Sequence, residues 1–262
     1  MEWENINTYA KQWVKEAGVK IRSSFSTALN ISSKSNANDL VTNIDRDVEK
    51  FFIEKIRKTF PQHRILGEEG FGDELDHTNG VVWLIDPIDG TLNFIHQQRN
   101  FAISVGIYEN GIGMIGIIYD VVHNELYCAM KGKGAFINEQ HIPSLNETNV
   151  HKAIIGINAT WATENKRIDY RKIVPLIQNA RGTRSYGSAA LELVYVATGR
   201  IDAYISMRLS PWDFAAGVII VEELGGVASN ILGEKLNILE KSSVFVAKPG
   251  LHQEILNQYL LK

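Results

Sequence analysis

The run Val81-Val82-Trp83-Leu84-Ile85-Asp86-Pro87-Ile88-Asp89-Gly90-Thr91 sets five apolar residues directly before two carboxylates, a proline and a glycine. Five such residues in a row predict a buried strand. The D-P-x-D-G that follows predicts a tight turn breaking the strand after Ile85. Taken alone, that turn has a plain reading: Asp86 caps backbone N–H groups and Asp89 begins a helix. The other reading is a site where carboxylates gather, and it needs further acids at neighbouring strand ends.

Working outward, Leu66-Gly67-Glu68-Glu69-Gly70 also places two acids after a predicted strand, and Ser210-Pro211-Trp212-Asp213 places one at a helix start. Each has its own structural explanation, Glu68 and Glu69 as a solvated turn and Asp213 as an acid complementing the helix dipole. If the strand ends converge, however, carboxylates about 4 Å apart repel by about 4 kcal/mol at an effective dielectric near 20, so the cluster demands cations. Hard oxygen ligands without His or Cys favour Mg²⁺ or Mn²⁺ over zinc. None of the seven His residues forms H-x-x-x-H or H-E-x-x-H, and His96 reads as a polar loop residue. Gly90 and Thr91 add a close backbone approach and helix-start N–H groups suited to a phosphate. Metal, phosphate cradle and hydroxyl together point to phosphate ester hydrolysis.

The surrounding chain is ordinary for a soluble fold. Its 262 residues carry 27 Lys+Arg against 30 Asp+Glu, with 45% hydrophobic and 22% charged residues, which sets aside disorder and coiled coil. The formal net charge of −3 gives no reason to expect nucleic acid or an anionic membrane as partner. Cys128, the single cysteine, reads as a small buried hydrophobe within a strand. The first residues lack the pattern of a secretory signal and no run approaches a membrane span, so a cytoplasmic setting is expected.

Helical spacing from Trp3 to Ile21 and from Ile44 to Ile56 predicts two amphipathic helices, the second stopped before Pro61 with Asp45 in its first turn. Between them, residues 32–39 read as a mobile polar loop. Short strands at Arg64–Leu66, Val81–Ile85, Phe101–Tyr108, Gly113–Tyr119 and Glu125–Met130 suggest a largely antiparallel sheet. From about Lys152 the pattern alternates: strands near Ile154–Ile157, Thr183, Ala203–Ser206 and Val244, with helices near Asp169–Asn179, Ala189–Ala197, Trp212–Leu224 and Gln253–Leu260. The expectation is one compact domain over 1–262, with helices and a mainly antiparallel sheet in 1–150 and an α/β half in 151–262.

At this point the sequence resembles a known family. W-L-I-D-P-I-D-G-T-L-N-F at 83–94 and W-D-F-A-A-G-V-I-I-V-E-E-L-G-G at 212–226 are similar to the two signature blocks of the inositol monophosphatase family. G-E-E-G at 67–70 and D-L-V-T-N-I-D at 39–45 resemble its other landmarks in the same order. The resemblance implies a Mg²⁺-dependent, Li⁺-sensitive phosphatase with a layered αβαβα sandwich, an α+β or α/β fold of the sugar phosphatase type, active as a homodimer. Carried over by position, Glu68, Asp86 and the Ile88 carbonyl would hold a first metal, and Asp86, Asp89 and Asp213 a second. Glu68, with waters near Glu69, would contribute to a third, weaker site, and Mn²⁺ could substitute for Mg²⁺. Thr91, oriented by Asp45, would accept a hydrogen bond from the attacking water, the Gly90 and Thr91 N–H groups would bind phosphate, and Lys34 matches a lysine on a mobile loop at the metal site. The family implies in-line attack by water rather than a covalent enzyme intermediate.

Substrate identity follows less directly. In inositol-specific members a glutamate stands seven residues before the W-D aspartate; here that position is Ser206, with Arg208 two residues on. The serine weakens discrimination among ring hydroxyls, and Arg208 reads either as a surface charge or as a partner for a second anionic group. Gly187, Ser188 and Ala189 match the helix start that lines the leaving-group pocket, to which Asp213 also contributes. The expected substrates are inositol 1-phosphate and other sugar, polyol or nucleotide phosphates. NADP(H) 2′-phosphate, fructose 1,6-bisphosphate and 3′-phosphoadenosine 5′-phosphate are the alternatives for the main activity. Two rivals remain: a covalent phosphatase of the haloacid dehalogenase type, whose D-x-D spacing differs from Asp86 and Asp89, and a non-enzymatic interaction module for transcription machinery.

Overall fold

A computed structural model describes residues 2–26, 29–33 and 40–262. Helix α1 (Glu2–Ser23) is followed by a short hairpin, β1 (Ile31–Ser33) and β2 (Leu40–Thr42), and by α2 (Asn43–Thr59). Ser32 and Ser33, expected in a loop, instead lie in the first strand of this hairpin. The reading of 34–39 as a mobile loop, and Lys34 with it, lies outside the described residues. Next come β3 (Arg64–Gly67), β4 (Val81–Asp89), α3 (Thr91–Gln97), β5 (Ala102–Glu109), β6 (Ile112–Asp120), β7 (Glu125–Met130), β8 (Ala135–Ile137) and β9 (Gln140–His141). These strands form one seven-stranded sheet in chain order, antiparallel except for the parallel β3–β4 pair.

The second half supplies β10 (Ile154–Ile157), α4 (Tyr170–Asn179), β11 (Gly182–Arg184), α5 (Ala189–Ala197), β12 (Ala203–Leu209), α6 (Pro211–Glu223), β13 (Val227–Ser229), β14 (Ser242–Ala247) and α7 (Leu251–Ile255). Its five-stranded sheet has the order β11-β10-β12-β14-β13, with β10 parallel to both of its neighbours. The strands β8, β9 and β13 go unannounced by the sequence because two or three residues are too few to show a period. The expected terminal helix Gln253–Leu260 starts earlier, at Leu251, and turns π-helical over Leu256–Leu260.

Strand alternation sorts side chains into three cores. In β4, Trp83 and Ile85 meet α1 and α2, whereas Val82 and Leu84 meet α5 and α6. In β12, Tyr204 faces α5 and α6, while Ala203, Ile205 and Met207 join α4 and α7. The layers therefore run helix, sheet, helix, sheet, helix, the αβαβα arrangement expected from the resemblance. Every residue of α5 is buried, as suits a helix pressed between two sheets. Helix α6 lies so close to the seven-stranded sheet that a Cβ on Gly116 would sit 2.3 Å from the Ala216 carbonyl oxygen. The Tyr108 hydroxyl donates to the Ala215 carbonyl at 2.9 Å, and the Ser104 hydroxyl to that of Trp212 at 3.1 Å. These contacts seat the start of α6 against β5 and β6, with Ser104 paired to Asp86 of β4. Among the described residues no helix is long and apolar enough to cross a membrane.

Candidate active site at the converging strand ends

The expected break after Ile85 does not occur. Strand β4 continues to Asp89, with a register shift against β5 between Asp86↔Ser104 and Asp89↔Ala102. Residues three apart on a regular strand point to opposite faces. The irregularity, which accommodates Pro87, reverses that parity: Ile88 joins the α1/α2 core while Asp89 turns towards α5. Asp86 and Asp89 thus reach the same side. Gly90 then takes φ 96°, a left-handed conformation that favours glycine, and α3 starts at Thr91.

Asp213, at the third position of α6, completes a trio with Asp86 and Asp89: one oxygen from each lies within 4.8 Å of the others. Each carboxylate is also tied to backbone. Asp86 Oδ1 accepts from Ile88 N–H at 3.0 Å, Asp89 Oδ2 from Ala190 N–H at 2.8 Å, and Asp213 Oδ2 from Ser210 N–H at 2.8 Å. The Ser188 hydroxyl donates to Asp89 as well. Burial, followed by the charges of Glu68, Asp89 and Asp213, pushes Asp86 well above the usual carboxylate range. Asp213 is pushed well up by burial and then by Asp89 and Glu68. Burial raises Asp89 to about 6 against the pull of its Ser188 and Ala190 hydrogen bonds. Three crowded anions that resist ionisation form a pocket a hard divalent cation would relieve.

Glu68 belongs to the same group, since it shares a hydrogen bond with Asp86 and its charge acts on Asp45, Asp86, Asp89 and Asp213. Ile88 offers its carbonyl, which accepts the Thr91 hydroxyl at 3.1 Å and keeps a second lone pair. Asp45 caps α2: its Oδ2 accepts from the Thr42 N–H at 2.8 Å and the Thr42 hydroxyl at 2.5 Å. Its Oδ1 stands 3.3 Å from the Thr91 hydroxyl. Burial raises the Asp45 carboxyl, opposed by the Thr42 hydrogen bonds. The Glu69 backbone N–H donates to Glu49 rather than to the centre.

Beside Asp89 opens a cavity of about 400 Å³, lined by Ser188, Ala189, Ser206 and Arg208 together with Trp161 and Glu192. Gly187 also lines it, with φ 77° in the turn before α5. The buried Ser188 hydroxyl is committed to Asp89, which makes it a support for the acid as well as a wall. Ser206 is buried and Arg208 is exposed at the rim. Burial lifts the Glu192 carboxyl to about 7, and its Oε1 accepts from Tyr186 N–H at 2.9 Å.

Sequence reading missed Glu49, Glu192 and the Ser188–Asp89 bond. An acid four residues after Asp45 shares its helix face, and that spacing was the available signal for Glu49. Cys128 is buried with its thiol 3.2 Å from Asn7 Oδ1, and burial raises it to about 11, which suits a structural role. His96, expected in a loop, lies in the last turn of α3 and is exposed.

Comparison with known proteins identifies the family. The model of the inositol monophosphatase family matches residues 2–261. An inositol-1-monophosphatase of Bacillus subtilis (strain 168) is 58% identical over 258 residues, 98% of this chain and 97% of that protein. The structure of inositol monophosphatase-II from Staphylococcus aureus MSSA476 superposes with a TM-score of 0.90 at 46% identity, covering 98% of this chain and 94% of that one. An IMPase/NADP phosphatase complexed with Mg²⁺ and phosphate gives 0.89 at 26% identity, covering 98% and 95%.

Proposed function

We propose a metal and a substrate range for a chain that belongs to the inositol monophosphatase family and is a phosphoric monoester hydrolase. The metal is Mg²⁺. Asp86, Asp89, Asp213, Glu68 and the Ile88 carbonyl are all hard oxygen donors, and the repulsion among the acids is what a small divalent cation offsets. The Mg²⁺ and phosphate held by the IMPase/NADP phosphatase support this choice. Glu68, Asp86 and Ile88 would hold one ion and Asp86, Asp89 and Asp213 a second; Glu68, with waters near Glu69, would contribute to a third. When bound, Mg²⁺ supplies Lewis acidity towards the ester and neutralises charge developing on it. Mn²⁺ is the expected substitute and Li⁺ the expected inhibitor.

The chain's own groups do the positioning. With its one proton shared between the Ile88 carbonyl and Asp45, the Thr91 hydroxyl keeps its lone pairs, with which it accepts a hydrogen bond from the attacking water and aims it at phosphorus. The Gly90 and Thr91 N–H groups cradle the phosphate oxygens. The leaving alcohol occupies the cavity beside Asp89, where Ser206 makes a weaker demand on hydroxyl geometry than an acid would, and Arg208 can meet a second anionic group. Inositol 1-phosphate, the substrate in the name of the B. subtilis relative, is therefore one of several substrates, with NADP, fructose 1,6-bisphosphate and 3′-phosphoadenosine 5′-phosphate among the others. The observation that carries the reading is the three-aspartate cluster beside the Asp45–Thr91 pair.

Phosphate release from that panel, with and without Mg²⁺ and Li⁺, tests it. Mg²⁺-dependent turnover of two or more classes is expected. A preference of about a hundredfold or more for inositol 1-phosphate would refute the breadth, and turnover undiminished by chelation would refute the metal. The same reading places the enzyme in the cytoplasm as a homodimer, and sedimentation of the purified chain tests the dimer.

A further inference from the structure

Glu49 is a fully buried carboxylate one turn beyond Asp45 on α2. Its Oε2 accepts the Glu69 N–H at 2.6 Å and its Oε1 the Phe71 N–H at 2.9 Å. Both donors belong to the turn leaving β3, which reverses at Gly70 with φ 76°. The carboxylate fills the space that a side chain on Gly67 would need, since a Cβ there would lie 2.5 Å from Glu49 Cδ and 2.6 Å from each oxygen. Gly67 and Glu69 are the two neighbours of Glu68. The backbone carrying Glu68 is thus gripped on both sides by a side chain from the helix that also holds Asp45.

We propose that Glu49 is a positioning residue that sets the Mg²⁺ affinity of the Glu68 arm of the site, an inference that rests on the Mg²⁺ reading above. The Glu49 carboxylate is turned to the Glu69 and Phe71 N–H groups and not to the three-aspartate cluster, so it acts through Glu68. Two converging N–H donors require two acceptor oxygens. A carboxylate supplies both, whereas an amide supplies one and turns its NH₂ against the other donor. The remainder of the turn has a separate lock: Asp73 Oδ2 accepts Ile65 N–H at 2.9 Å, and Asp73 N–H donates to the Ile65 carbonyl at 2.6 Å. Loss of Glu49 therefore loosens the Glu68 end of the turn while its far end stays tied to β3.

The test is Mg²⁺ binding by isothermal titration calorimetry on the full chain, comparing wild type, Glu49→Gln and Asp73→Asn, with circular dichroism and Tm recorded without metal. Partners of this kind outside the ligand set typically change metal affinity by about 10–100-fold, and that loss is expected for Glu49→Gln. Asp73→Asn, whose amide oxygen still accepts the single Ile65 N–H, should leave the Mg²⁺ Kd within about threefold, because its lock lies away from Glu68. A folded Glu49→Gln with wild-type Mg²⁺ affinity overturns the proposal alone. Wild type that takes up no Mg²⁺ overturns the functional reading and this one with it. If Glu49→Gln does not fold, Glu49→Asp, whose shorter arm reaches one N–H, decides by the same measurement: an affinity loss supports the proposal and an unchanged Kd overturns it.

Discussion

Changing Asp89 to Asn should stabilise the metal-free protein while removing its activity, and the size of the gain follows from the carboxylate cluster. The amide keeps an oxygen for the Ser188 hydroxyl and the Ala190 N–H, so the local hydrogen bonds survive. The charge is what disappears. Burial holds the Asp89 carboxyl at about 6 in the folded chain against an ordinary value of 3.8, a gap of about two pH units. At 1.36 kcal/mol per unit, ionising it costs the folded state about 3 kcal/mol. Because the folded value is the higher one, this stability is present below about pH 3.8, falls as pH rises towards 6, and is fully lost above it. The variant lacks that loss. In EDTA at pH 7.5 its Tm should exceed that of wild type by about 5–10 °C, and the gap should close as pH falls towards 4. Mg²⁺ should reverse the order, since saturation to about 1,000 Kd adds about 4.1 kcal/mol to a protein that binds it and little to one missing a ligand. Calorimetric melts across pH, with and without Mg²⁺, measure all of this. A metal-free variant no more stable than wild type at pH 7.5, or equal Mg²⁺ stabilisation of both, would refute the reasoning.

Three other outcomes follow from the same structure. Glu192→Gln should become more stable than wild type as pH rises from about 4.5 to 7, by up to about 3 kcal/mol, because burial holds that carboxyl at about 7; Tm against pH for both proteins checks the sign. Arg208→Ala should lower kcat/KM for fructose 1,6-bisphosphate by about tenfold and leave inositol 1-phosphate nearly unchanged, as loss of an exposed charge-assisted contact to a second phosphate requires; parallel kinetics on the two substrates decide it. Gly116→Ala drives a methyl against the Ala216 carbonyl and should cost about 1–3 kcal/mol, read as a lower Tm with or without Mg²⁺.

Periodicity was enough for α1, α2 and the long strands of the first sheet, because each buries one continuous face or a full apolar run. The acids could be picked out one stretch at a time, but their meeting depends on pairings across long separations. The Ser188–Asp89 bond spans 99 residues, and the Thr91–Asp45 contact spans 46. Local pattern carries no record of such distances. Glu49 was hidden for a different reason: an acid between Val48 and Lys50 on an amphipathic helix reads as solvent-facing, whereas here it is fully buried against backbone N–H groups. The strand through Asp86 and Pro87 was hidden because an acid and a proline normally end a strand, and only pairing with Ser104 and Ala102 of β5 carries it on.

The same device recurs on the other sheet. Strand β12 shifts register against β14 between Ser206 and Leu209, and Leu209 changes sides to join the α5/α6 core although its odd-numbered neighbours Ile205 and Met207 face α4 and α7. Both irregular strands run directly into a helix, β4 into α3 with Thr91 at its start and β12 into α6 with Asp213 in its first turn. A regular strand would split closely spaced residues between the two faces of its sheet. One parity reversal per strand instead puts Asp86 and Asp89 together on the side of α5 and α6, and the helix start that follows each strand adds N–H groups and one further side chain. On this argument the site exists because two strands are irregular at their last turns, and a variant that regularised β4 would separate Asp86 from Asp89 even with every acid retained.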